Sequence, residues 1–219
     1  MSSLGIRLTP TETLQPEAAP RPLGTALRWH SPFDAEERHP IVSVFFTHSA
    51  YIRVCVYTCV DTTNEVGGAL IGQWCQDQES GQQFVVVQHA LPARFTRQSN
   101  VYLTFTQDTL VDLHDQLEKR FPNEKILGWY HTHPRMGIFL SHYDTFLHKN
   151  FFPEPWQVAL VIEPYSSQGG FFIRQADGSF DPTRYFGFYE MDAASGHSIV
   201  RWQNLHQDAN GPEGDESNE

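Results

Sequence analysis

Apolar and polar positions along the chain fall mostly into short alternating runs separated by Gly, Pro, Asn and Asp, with a few stretches where the period lengthens to that of a helix. Ile41–Phe46 reads as a short strand. Thr47 and Ser49 then offer N-caps to an apolar stretch, Ala50–Val60, whose β-branched residues weaken its helix propensity. Val66–Gln73 is short and apolar, the pattern of a buried strand, while Phe84–Ala90 and Val101–Thr106 alternate as strands do. Leu110, Leu113, Leu117 and Phe121 form the inner face of an amphipathic helix, with Asp108 as its cap and Pro122 as its stop. Ile126–His131 and Gln157–Glu163 are two more strands, and Gly170–Gln175 with the run from Phe180 predicts a hairpin about Asp177-Gly178. Strands and helices alternate, so the class is α/β or α+β, with a mixed sheet and a helix on either face.

The dense pattern spans 39–193, which is the domain. Residues 1–38 carry Pro10, Pro16, Pro20, Pro22 and Pro32 with little periodicity, which predicts an extended arm with a short strand near Leu23–Trp29. Residues 194–219 are weakly patterned and end in a solvated acidic run of Asp208, Glu213, Asp215, Glu216 and Glu219. A length of 219 residues suits one well-filled domain with flexible ends, and 40% hydrophobic residues make it globular rather than disordered. The formal net charge of −11 removes nucleic acid as the main partner, because nothing would neutralise phosphates over a broad face. Three cysteines, Cys55, Cys59 and Cys75, without framework spacing predict buried thiols in a reducing, cytoplasmic setting. No signal-peptide core is visible, and no run approaches the roughly 18 apolar residues of a spanning helix, so no membrane is expected.

Chemistry concentrates in one stretch, Gly128-Trp-Tyr-His-Thr-His-Pro-Arg-Met-Gly-Ile-Phe-Leu-Ser-His-Tyr-Asp144. His131 and His133 stand two apart at the end of an apolar strand, so both imidazoles leave the same face. Pro134 and Gly137 turn the chain, and a helix starting near Ser141 aims the Asp144 carboxylate back at the strand end. Two neutral imidazoles and one carboxylate, with a fourth position open, suit catalytic zinc. Zinc chemistry also needs a carboxylate near the metal that is not a ligand. Glu65, immediately before Val66-Gly67-Gly68, is the candidate, with the two glycines permitting close approach of backbone or substrate.

The pattern Glu65-Val-Gly-Gly, His131-Thr-His133-Pro and Ser141-x-x-Asp144 resembles the JAMM (MPN-plus) zinc metallopeptidase family, and the run GWYHTHPRMGIFLSHYD is similar to the deubiquitinating subunits of the proteasome lid and the signalosome. The resemblance covers about 41–173. It implies the MPN fold (JAB/cytidine-deaminase-like), a curved mixed sheet flanked by helices. It also implies one Zn2+ per chain on His131, His133 and Asp144, Glu65 as the water-activating base, and Ser141 as a holder of the tetrahedral intermediate. The implied activity is isopeptidase cleavage of a ubiquitin or ubiquitin-like tail. Eukaryotic members usually have Cys-Trp where this chain has Ile138-Phe139, and their partner-binding helices are not recognisable here. A complex subunit and a free-standing prokaryotic enzyme are both open.

Each residue also has a plainer reading. His131 and His133 can be ordinary strand histidines, and Glu65 an exposed edge carboxylate. Ser141-x-x-Asp144 is close to a capping box, so Ser141 can be only a helix cap and Asp144 only a favourable dipole charge. Together at these spacings they favour the metal site. His142 and His148 are expected on the solvated face of the helix, and Trp129 and Tyr130 in the core or just behind the site. Trp156, Phe151 and Phe152 are expected to pack, with a groove for an extended peptide as the alternative. Competing functions are processing of a sulfur-carrier-like protein, peptidase action on a short amino-acid adduct, a non-catalytic MPN scaffold, and a DNA-repair-type relative that the charge disfavours.

Overall fold

The computed structural model describes residues 14–34, 36, 38–98, 103–192 and 197–207. In chain order the elements are β1 (Glu17–Ala18), a 3-10 turn (Leu23–Thr25), β2 (Leu27–His30), β3 (Val42–Phe46), α1 (His48–Thr58), β4 (Gly67–Gln76), β5 (Gln83–Pro92), β6 (Arg97–Gln98) and β7 (Leu103–Thr104). There follow α2 (Gln107–Arg120), β8 (Lys125–Thr132), α3 (His142–Phe151), β9 (Val158–Glu163), β10 (Gln168–Phe172), β11 (Phe188–Glu190) and β12 (His206–Gln207). The main sheet runs β10-β9-β8-β4-β5-β3-β11-β2-β12, with β1 also paired to β4, while β6 and β7 form a separate ribbon. Parallel pairs (β8 with β9, β3 with β5) sit beside antiparallel ones (β4 with β5 and β8), so the fold is α+β with a mixed sheet, as expected. The central strand is bulged on both sides, at Leu70/Ile71 toward β8 and at Ile71/Gly72 toward β5, and such irregularities bend a strand and curl its sheet.

Local chemistry explains the helix starts. Thr47 caps α1 by accepting the Ala50 N–H at 3.2 Å, which offsets the β-branched residues inside the helix. For α2 the cap is Thr106 rather than Asp108: Thr106 has the extended backbone of a cap and exchanges hydrogen bonds with Thr109. Asp108 lies inside the first turn, where its charge complements the helix dipole. The α3 cap is Ser141, and β4, β5, β8 and β9 fall where their periodicity places them.

Three expectations change. The stretches outside 39–193 supply strands to the sheet: β1 extends along β4 beyond Gly72, where the pairing with β8 ends, and the strand expected near Leu23–Trp29 is β2, which lies between β11 and β12. Val200, Trp202 and Leu205 are buried, with Trp202 against Phe46, Tyr51 and Phe188. Strands of two to four residues and single apolar anchors carry no readable period. The predicted hairpin about Asp177-Gly178 keeps its turn, with the Gln175 N–H on the Ser179 carbonyl at 2.9 Å, and a single antiparallel bridge between its arms, Phe171 with Phe186. Pro182 follows, and the next strand, β11, pairs with β3 and β2 instead. Of the three free thiols Cys75 alone is buried; Cys55 is half-buried and Cys59 exposed at the end of α1. The acidic run and Val101 lie outside the described residues. Among the described residues no helix is long and apolar enough to cross a membrane.

Candidate metal centre and active site

The site forms where β4 begins and β8 ends. Gly67 pairs with His131, and the same antiparallel register carried two residues further sets Glu65 opposite His133. Two hydrogen bonds clamp this end: Thr132 N–H to the Val66 carbonyl at 2.8 Å, and Val66 N–H to Thr132 Oγ1 at 2.9 Å. The glycines serve the backbone: a Cβ on Gly67 would collide with the Tyr130 carbonyl and Leu103, and one on Gly68 with the Leu91 carbonyl and the Tyr130 ring. His133 leaves the strand with its N–H on the Ile162 carbonyl at 2.9 Å. Arg135 follows at φ 60°, its N–H on the buried Glu163 carboxylate at 3.1 Å.

At the head of α3, Ser141 and Asp144 close a capping box. Ser141 Oγ accepts the Asp144 N–H at 3.2 Å, and Asp144 Oδ2 accepts the Ser141 N–H at 2.7 Å. The plainer reading of Ser141 and Asp144 as a cap is therefore realised, and the same box delivers the carboxylate to the histidines. His131 Nε2 lies 3.0 Å from His133 Nε2 and 3.3 Å from Asp144 Oδ1, and His133 Nε2 lies 3.5 Å from Asp144 Oδ2. Ligands of a tetrahedral zinc at about 2.0–2.1 Å stand about 3.3 Å from one another. The three donors fit that spacing, and all are buried. Glu65 completes the group from the other strand, its Oε1 3.9 Å from His133 Nε2. Its Oε2 is buried with no hydrogen-bond partner among the described residues.

The electrostatics separate the two carboxyls. Burial raises both, but the two imidazoles and Ser141 outweigh it at Asp144 and hold that group far below the usual carboxylate range. At Glu65 burial wins over His131, and the Asp144 charge adds to it, so the carboxyl is pushed up to about 7. Burial also lowers His133 against the pull of Asp144, which favours the neutral imidazole a metal requires. Adjacent carboxyls with divergent proton affinities suit one ligand and one proton acceptor.

Around this group, Trp129 stacks on His131 with ring centroids 4.4 Å apart, and Phe139 lies 4.6 Å from His133. Tyr130 points to the opposite face of the sheet, as alternation demands, and is fully buried. His142 is exposed as expected, but His148 is fully buried. It stands four residues after Asp144 and so shares its helix face, a spacing visible in the sequence. Phe152 and Trp156 pack in the core, Trp156 flat on Trp74 at 4.8 Å, so neither lines a groove. Arg135 and Glu163 carried no signal in the sequence, since a positive φ and a loop-capping carboxylate have no pattern of their own.

Residues 45–152, which hold all five of these candidate residues, match the family described as JAB1/Mov34/MPN/PAD-1 ubiquitin protease. The chain belongs to the JAB/MPN family. Among curated proteins, a segment of the MPN chain is 33% identical over 79 residues to NAD(+) hydrolase TcpA of a Theionarchaea archaeon, covering 36% of this chain and 24% of that protein. Ubiquitin carboxyl-terminal hydrolase RPN11 of Saccharomyces cerevisiae is 26% identical over 130 residues, 58% of this chain and 40% of its own length. COP9 signalosome complex subunit 5 of Caenorhabditis elegans is 51% identical over 43 residues, 19% and 11% of the two chains. The MPN chain thus spans less than half the length of each of these relatives. Among solved structures, protein DSY2949 of Desulfitobacterium hafniense aligns at a TM-score of 0.47 and 21% identity, over 64% of this chain and 90% of that one.

Proposed function

We propose that this MPN chain is a zinc-dependent isopeptidase that releases ubiquitin or a ubiquitin-like protein from conjugates or precursors. The observation that carries the proposal is Glu65: a buried carboxyl with an unpartnered oxygen, set by strand register beside a metal-type donor set to which it does not belong. The family description and the names of two matched relatives point the same way. The 79-residue match to an NAD(+) hydrolase covers under a quarter of that protein and does not carry its activity over.

His131, His133 and Asp144 would hold one zinc. When bound, zinc supplies Lewis acidity toward a carbonyl oxygen and makes water acidic enough to ionise near neutral pH. Glu65 takes a proton from the attacking water and returns it to the leaving amine. Ser141 Oγ already accepts from Asp144, and its own hydrogen is given to the carbonyl oxygen as charge develops there. Burial of the whole group suits a narrow, flexible tail such as Gly-Gly rather than a folded surface. A scaffold role has less support, because it needs neither the donor set nor the buried base.

The test is a cleavage panel of ubiquitin, ubiquitin-like and sulfur-carrier fusions, with and without chelator, alongside elemental analysis. Expected are about one zinc per chain and cleavage of at least one fusion that chelator stops and zinc restores. A zinc-free chain that cuts nothing would favour the scaffold, and cleavage of the sulfur-carrier fusion alone would move the substrate assignment there.

A further inference from the structure

A metal-binding imidazole ordinarily has its second nitrogen tied to a carboxylate or carbonyl, and that bond sets the plane of the ring. Nδ1 of His131 has no such partner among the described residues. The ring is held flat instead, 10° from the plane of the Trp129 indole with centroids 4.4 Å apart. Trp129 is wedged in turn by Phe152, stacked at 6.0 Å, and by Phe105, edge-on at 5.9 Å. Aromatic faces set the plane of the indole but let it slide within that plane. Its one polar atom fixes the remaining freedom: Nε1–H donates to His148 Nδ1 at 3.2 Å. Because Nδ1 accepts, His148 carries its proton on Nε2. The His148 ring is pinned on Phe180, centroids 4.8 Å apart and planes 14° from parallel. Asp144 and His148 lie one turn apart on α3, so a single helix supplies a metal donor and the group that braces another.

We infer that His148 is a positioning residue for the metal centre, holding the His131 imidazole in its metal-facing plane through the Trp129 indole. A role in packing alone would need no nitrogen at either position. A phenyl ring at 129 would still stack on His131, and an apolar side chain at 148 would fill the space without burying polar atoms. The inference rests on the reading of His131 as a zinc ligand.

The test uses the full chain with His148→Leu, His148→Gln, Trp129→Phe and the double variant Trp129→Phe/His148→Leu. Two quantities are read: zinc affinity by competition with a chromophoric chelator, and the His131 ring resonances in metal-free protein. His148→Leu is expected to weaken zinc about 10–100-fold, the usual effect of losing an orienting partner, and to shift the His131 resonances. His148→Gln, whose amide oxygen can take the indole N–H, restores most of both. Trp129→Phe weakens zinc as well, and adding His148→Leu to it changes nothing further. A folded His148→Leu with wild-type zinc affinity and unmoved His131 resonances overturns the inference. Should that variant not fold, Trp129→Phe with both readouts unchanged overturns it equally. If the wild-type chain takes no zinc, the proposed function falls, while the metal-free His131 resonances still judge His148.

Discussion

At the head of α2, Thr106 accepts the Thr109 N–H and Thr109 accepts the Thr106 N–H, each at 3.2 Å; at the head of α3, Ser141 and Asp144 make the same reciprocal pair at 3.2 and 2.7 Å. The two boxes differ in what is left over. In α2 the hydroxyls reach the Arg94 and Phe95 carbonyls at 2.6 and 2.8 Å, so the box closes on uncharged backbone. In α3 the third position is a carboxylate, and one N–H does not exhaust its two oxygens, which face His131 and His133. A capping motif therefore says little about chemistry by itself. What decides is spare charge at the third helical residue and the side chains brought opposite it.

The most severe way to break the comparison is Asp144→Asn. An amide oxygen still accepts the Ser141 N–H, so helix content holds, while zinc binding and cleavage fall to background. Retained zinc in that variant would show that the carboxylate is only part of the cap. Next in size, Glu65→Gln is expected to keep zinc by elemental analysis and to lose about 10^2–10^4-fold in kcat, the usual worth of a general base. Ser141→Ala should cost about 10^2–10^3-fold in kcat if the hydroxyl serves the oxyanion, together with about 1 kcal/mol of stability from the cap. A loss of stability without a loss of rate would reduce Ser141 to its capping role.

The smaller effects concern stability alone. The buried residues of α3 include the titratable Asp144 and His148, while those of α2 are Thr109 and Leu113. Burial, with the nearby Arg174 charge, holds His148 down to about 3. An unfolded imidazole takes its proton near pH 6.5, so the stability this group contributes is complete above about 6.5 and is lost as pH falls toward about 3. Thermal unfolding of the metal-free chain should therefore lose up to about 1.4 kcal/mol per pH unit in that window, and His148→Gln should flatten the slope. Equal slopes for the two proteins would sink the assignment to His148. The smallest change is expected of Thr106→Ala, which should lower stability by about 1 kcal/mol and leave kcat and zinc untouched.

Much of the fold was legible because its central strands are long enough to show a period, and the metal donors were legible because period-2 geometry converges His131 and His133. Glu65 was legible only as chemistry. Its place beside His133 depends on the register of β4 against β8, which no local pattern encodes. Strand β2 was legible as a short strand near Leu23–Trp29 but not in its partners, and the anchors Val200, Trp202 and Leu205 were illegible for a different reason, since isolated apolar residues in irregular segments look like linker. His148 could have been found: its spacing from Asp144 puts it on the buried face, and its polarity alone suggested the surface. Thr106 is hard to read as a cap because Asp108 stands closer to the apolar face of the helix.

The pairing of β2 with both β11 and β12 also sets an order of events. Trp29 and His30 find their strand partners at Phe188, His206 and Gln207, about as far along the chain as contacts can be. Closing loops of that length must precede any gain from the contacts they bring. On the ribosome β2 cannot pair with β11 until residue 190 has emerged, nor with β12 until residue 207 has. The strands and helix that gather Glu65, His131, His133 and Asp144 are all available by residue 163. The half that holds the candidate metal site can thus take shape while the strand that seals the far side is still waiting for its partners.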